Sequence, residues 1–244
     1  MPFGYLLPLF FVGALLYSSV GHGGATVYLA ILTLCGFPVG PLVTTVLVLN
    51  ILAAGIAFVN FERAGHLRWR LLVPFVVTSV PMAYLGGLMA MSGRTQQLIL
   101  GAALLAGGLR LLLVPKPSVA RIPQTGWIFL IGPLLLGAVL GFLAGTTGIG
   151  GGIFLSPILL LLGWATVKEA GSVASAFIVL NSASALAAKL PRTPLDLDAL
   201  FPLAAAVVAG ALVGSFVGAR RLPPRVLQAL LGVVLLVAAG KALL

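Results

Sequence analysis

Apolar stretches follow one another along almost the whole chain, and every charged residue falls near the end of one or in a short connection. They cover residues 3–20, 25–36, 39–61, 71–91, 98–114, 127–144, 153–163, 170–188, 199–217 and 226–244, ten in all. A helix that spans a bilayer needs roughly 20 mostly apolar residues. Most of these runs meet that requirement. Soluble domains carry about 25% charged residues; here the share is 7%, with only four acidic residues in 244. Such a chain cannot hydrate a soluble surface. The sequence therefore predicts an all-α integral membrane protein with about ten transmembrane elements. The opening residues, MPFGYLLPLF, lack a basic region and a small-residue cleavage site, so they read as the first span and not as a removable leader.

Two of the ten stretches, 25–36 and 153–163, are too short to cross a bilayer comfortably at 1.5 Å per residue. Each follows a glycine cluster. Between residues 115 and 126 lies PKPSVARIPQTG, the only long Pro-rich polar connection, at the centre of the chain. It divides the sequence into a first repeat (1–114), a linker (115–126) and a second repeat (127–244). The halves resemble each other. Gly21, Gly23 and Gly24 align with Gly148, Gly150 and Gly151; Asn50 ends VLVLN where Asn181 ends FIVLN; Pro74 matches Pro202; Gly101 matches Gly232. Partners stay 127 to 131 residues apart. With five elements per half, an odd number, the second half must sit upside down relative to the first. Inverted repeats are characteristic of secondary transporters, whose sites lie at the repeat interface near the midplane.

Orientation follows from Lys and Arg. If all ten stretches change side, these residues divide ten to four between the two faces; if the two short stretches do not, nine to five. The first count places the larger set in the cytoplasm and both termini outside. Re-entrant short helices and spanning ones give the same parity. The net charge of +10 is scattered through loops, which sets topology and does not make a nucleic-acid surface. The single Cys35 excludes a disulfide framework.

The glycine clusters are where chemistry can sit. Gly21-His22-Gly23-Gly24 and Thr147-Gly148-Ile149-Gly150-Gly151-Gly152 can each break one helix and start another. Inside lipid, irregular backbone persists only where it is buried in protein or faces a water-filled cavity. The helix after each break opens with free N–H groups and the positive end of its dipole, an anion site that needs no charged side chain. Packing of helices through small residues is the competing explanation; the matched pair of clusters favours a substrate site. Asn50 and Asn181 lie within apolar runs, as substrate contacts or as inter-helix hydrogen-bond partners. Ser175 stands among the hydroxyls that flank them. His22 either takes up a proton near neutral pH and couples transport to it, or hydrogen-bonds the broken backbone. The matching place in the second half is Ile149. Replacing Gly150 or Gly151 by valine is expected to stop transport in a folded protein. No span holds paired carboxylates, a nucleophile with its base, or metal-ligand spacing, which argues against an enzyme, a metal site and a cofactor.

At these residues the chain resembles the sulfite exporter TauE/SafE family, also called the four-toluene-sulfonate uptake permease family. The resemblance covers nearly the whole chain. It rests on the duplicated glycine motif with its short apolar helix, clearest in GTTGIGGGIFLSPILL with Pro157, and on the asparagine one helix later. In the first half Ala25 replaces the last glycine and Ala30 takes the place of Pro157. The resemblance implies a multi-pass permease of the bacterial inner membrane for a small organic or sulfur-containing anion such as sulfite, a sulfonate or a related carboxylate. The partners expected are that anion, the lipid bilayer, a coupling proton or cation, and a second copy of the chain in a homodimer. An anion or small-solute channel is the first alternative, and a membrane enzyme or assembly factor the second.

Overall fold

The computed structural model describes residues 4–89, 101, 105, 108, 109, 112, 113 and 127–243. The described residues contain no strand. Among the described residues a short turn at Gly4–Leu6 is followed by nine helices with defined bounds: α1 (Leu7–Ser19), α2 (Ala25–Leu34), α3 (Val39–Arg63), α4 (Trp69–Leu88), α5 (Trp127–Thr147), α6 (Gly152–Leu161), α7 (Val167–Lys189), α8 (Leu197–Arg220) and α9 (Pro224–Leu243). The expected linker, and most of the expected element over 98–114, lie outside the described residues; the six described positions of that element are helical.

Length and composition qualify α3, α4, α7 and α8 to cross a membrane. Polar side chains cap the starts of two of them, α7 and α8. Thr166 and Glu169 form a capping box at the start of α7, with Glu169 Oε2 accepting from Thr166 N at 2.7 Å and Thr166 Oγ1 accepting from Glu169 N at 3.3 Å. Asp196 caps α8 by accepting from Ala199 N at 2.9 Å.

The two short helices are each ten residues long, about 15 Å at 1.5 Å per residue, half of a hydrocarbon core of roughly 30 Å. Left-handed glycines precede both: Gly24 at φ 99° and Gly151 at φ 72°. Both also end alike. Gly36 (φ 79°) and Gly163 (φ 68°) follow α2 and α6. Phe37 N donates to Leu32 O and Trp164 N to Leu159 O, each bond closing a Schellman motif. The same local chemistry therefore starts and stops a half-length helix in each half of the chain.

Helix pairing crosses between the halves. α1 packs on α8, α4 packs on α5, and α3 crosses α7 at the centre; α3 also touches α8, and α4 touches α7. Glycine ladders bring two of these pairs close. On α8, Gly210, Gly214 and Gly218 press against the carbonyls of Phe11, Leu15 and Ser19; on α5, Gly137, Gly141 and Gly145 press against those of Phe75, Ser79 and Ala83. A fourth-residue spacing of glycines is the arrangement that lets helix backbones approach within a membrane. Two apolar cores result. One joins α1, α2, α3 and α8, with Phe10 stacked on Tyr28 at 4.9 Å between ring centroids. The other joins α4, α6, α7 and α9 with Leu140 of α5, and takes in Tyr17 and Val20 from the end of α1.

Candidate functional site

The break between α1 and α2 is held by hydrogen bonds of its own. His22 N donates to Tyr17 O at 2.9 Å, Gly21 N to Ser18 O at 3.1 Å, and the Tyr28 hydroxyl to Gly23 O at 2.8 Å. His22 is buried, at 1% exposure. Its Nδ1 lies 3.1 Å from Val20 O, while Nε2 has no hydrogen-bond partner. The Gly152 carbonyl lies beside the ring without completing a hydrogen bond to it.

Asn50 of α3 ties the two breaks together. Its Oδ1 accepts from Ala25 N, the first amide of α2, at 3.0 Å. Its Nδ2 donates to Ser182 Oγ of α7 at 2.9 Å and approaches Ile149 O, ahead of α6, at 3.4 Å. One amide thereby caps a short helix of the first half and binds the break of the second. Asn181 does otherwise. Its Nδ2 donates to Phe177 O of its own helix at 2.8 Å, and its buried Oδ1 has no partner.

A narrow cavity of about 10 Å³, roughly the room one water molecule needs, lies beside α2, between the two breaks. Its wall is built from Tyr17, His22, Gly23, Gly24, Ala25, Thr26, Asn50, Ile149, Ile153 and Ile178. Four residues singled out by sequence meet there: His22, Gly23, Gly24 and Asn50. Gly150, Gly151 and Gly152 pack instead against Ser182 and Asn50, against Phe177 and Ala144, and against Ile178 respectively. Gly21 meets Gly171 of α7, and Gly148 meets Val43 of α3. The Thr147 hydroxyl donates to Leu143 O and that of Ser175 to Ser172 O, each back onto its own helix.

Sequence reasoning missed Tyr17, Thr26, Ile153 and Ile178. A signal was present for two of them: Tyr17 lies in the last turn of α1, five residues before His22, and Thr26 is the second residue of α2. Ile178 comes from α7 and needed the tertiary fold.

The packing also revises the test based on Gly150. A Cβ there would fall 2.6 Å from Ser182 Oγ and 2.7 Å from Asn50 Nδ2, at a φ of +81°. Gly150→Val should therefore lose folded protein along with transport, measurable as the monodisperse fraction in gel filtration. Full recovery of monodisperse protein would contradict this account of the break.

An apolar chain, all-helical among its described residues, with two half-length helices beside a small cavity that carries a few buried polar groups, is built like a membrane transporter. The model of the family "Sulfite exporter TauE/SafE" matches residues 6–242. A "Probable membrane transporter protein y4hK" from Sinorhizobium fredii (strain NBRC 101917 / NGR234) is 33% identical over 237 residues, covering 96% of this chain and 95% of the relative. The chain belongs to the sulfite exporter TauE/SafE family of membrane transporters. No solved structure matches it.

Proposed function

We propose that the chain is a secondary transporter of a small organic or sulfur-containing anion, such as sulfite, a sulfonate or a related carboxylate, working by alternating access. The observation that carries this reading is the cavity at the start of α2. The Ala25 amide is bound by Asn50, and Thr26, which lines the cavity, belongs to the first turn of α2, whose N–H groups have no intrahelical acceptor. A partly buried helix N-terminus stabilises an anion by up to ~2 kcal/mol.

Inverted symmetry is part of the reading. Three features support it: the matched left-handed glycines, the matched Schellman ends, and the reciprocal pairing of helices. The first helix of each half lies on the fourth of the other, and the two third helices, α3 and α7, cross. The rocking bodies are then not the sequence halves. One body is α1, α2, α3 and α8, which share one apolar core; the other is α4, α5, α6 and α7, whose core also takes in α9 and the end of α1. They meet where α3 crosses α7, beside the cavity. In this reading the more basic face is cytoplasmic, both termini lie outside, and the membrane is the bacterial inner membrane.

The test is uptake by protein reconstituted in lipid vesicles, with sulfite, methanesulfonate and acetate as substrates. Saturable uptake with counterflow, in which unlabelled anion inside drives labelled anion in, is the expected result. Flux that rises linearly with concentration and shows no counterflow would instead mean a channel.

A further inference from the structure

The cavity has a polar wall and an apolar wall, and each wall comes from a different half of the chain. Tyr17, His22 and Thr26 stand on the polar side. Their counterparts 127 residues further on are Ala144, Ile149 and Ile153, and both isoleucines line the same cavity. Ile178 of α7 extends the apolar side. Two polar atoms next to this space are buried and without partners: the Tyr17 hydroxyl and His22 Nε2. Tyr17 is 4% exposed and His22 1%. Buried polar atoms without partners are costly, and each calls for a ligand.

The hydrogen bond at Nδ1 fixes what Nε2 can do. A carbonyl only accepts, so the contact with Val20 O requires the proton on Nδ1. In the neutral ring Nε2 is then a bare lone pair, which repels an anionic oxygen. It binds an anion only when a proton sits between them, carried in on the imidazole or on the ligand. Either way the complex holds one proton more than free protein and free anion. The charges of the surrounding helices stand near helix ends, those of α8 (Asp198, Arg220) and α9 (Arg225, Lys241) included. α1, α2 and α6 carry none, and those of α3 (Glu62, Arg63) and α7 (Lys168, Glu169, Lys189) all stand in terminal turns. Tyr28, the other titratable group nearby, already donates its hydroxyl to Gly23 O.

Resting on the transporter reading above, we propose that this cavity, which holds about one water as it stands, widens as the two bodies move and is the head-group site for a monovalent anion with a compact oxyanion head and a short apolar end. The Tyr17 hydroxyl, His22 Nε2 and the first turn of α2 hold the head, the three isoleucines hold the apolar end, and one proton binds with each anion. A divalent oxyanion fits poorly, because a single proton leaves it charged against an isoleucine wall.

Calorimetric titration of the full-length protein in detergent tests this, with methanesulfonate, acetate and sulfate as probes over roughly pH 6 to 8, where histidine titrates. Repeating each titration in buffers of different ionisation heat counts the protons taken up. Methanesulfonate and acetate should each bring about one proton. Their affinity should fall by up to about tenfold per pH unit as pH rises, since the complex is the more protonated state. Sulfate should bind at least about tenfold more weakly. His22→Gln should flatten the pH dependence and abolish proton uptake. Tyr17→Phe should weaken binding about tenfold while keeping the proton count and the thermal stability, because the free protein leaves that hydroxyl unpaired. Proton-free binding by the unaltered protein, an unchanged proton count in His22→Gln, or sulfate binding as tightly as the monoanions would each overturn this inference and leave the anion-transport reading standing. No binding of any probe would overturn both.

Discussion

Asn50→Leu should abolish transport and destabilise the protein severely, whereas Asn181→Leu should do neither. The two asparagines occupy matched places in the sequence, yet their amides are used differently. Leucine at position 50 would remove the acceptor for Ala25 N and the donor to Ser182 Oγ and Ile149 O. Each buried group left without its partner costs about 1–3 kcal/mol, so a loss on the order of 3–5 kcal/mol is expected. The brace also spans the contact between the two proposed bodies, and without it the start of α2 loses its cap. Asn181 makes one bond within its own helix and leaves Oδ1 unpartnered, so its replacement should shift stability by no more than about 1 kcal/mol. Thermal unfolding followed by gel filtration, together with vesicle uptake, separates the cases. Equal losses in both variants would show that the two amides act alike, and a silent Asn50→Leu would remove the brace from the account.

The second large effect is expected at the glycine ladders. Gly141→Leu and Gly214→Leu should each leave almost no folded protein. Any side chain at these positions runs into the carbonyl of Ser79 or Leu15, and a backbone carbonyl in a packed helix cannot rotate away. Overpacking typically costs about 1–3 kcal/mol, and forcing two helices apart along a shared ladder costs more. Gly132→Leu is the control: it lies on α5, but a Cβ there meets nothing within 4 Å. Its yield from purified membranes should match the unaltered protein. Comparable yields for all three variants would mean that the ladders tolerate separation.

Several parts of this arrangement were legible in the sequence. The glycine clusters announce the breaks because no other residue takes φ near +80° without strain, and the apolar runs behind them are visibly short. Gly36 and Gly163, which end those runs, could have been read as helix stops as well. The use of the clusters was not legible. Sequence alone could not separate a glycine that faces a cavity, as Gly23 does, from one that admits a neighbouring helix, as Gly152 does beside Ile178. Nor could matched asparagines reveal unequal bonding, since the difference lies in what α7 offers each of them: a hydroxyl at Ser182 for Asn50, and only its own backbone for Asn181. The ladders on α5 and α8 were visible as a four-residue glycine rhythm. The partner of each ladder was not, because pairing between the halves is decided by the assembled fold.

That pairing has a consequence for how the protein is made. Leu88 at the end of α4 and Trp127 at the start of α5 are 39 positions apart, so this pair can close soon after synthesis. Ser19 and Leu197 are 178 positions apart. Helix α1 therefore waits, the face that will meet the glycines of α8 covered only by lipid, until α8 has been made. A chaperone or insertase that shelters α1 meanwhile would matter far more than one acting on α4, and a chain truncated before α8 should reach the membrane but be cleared from it by quality-control proteases.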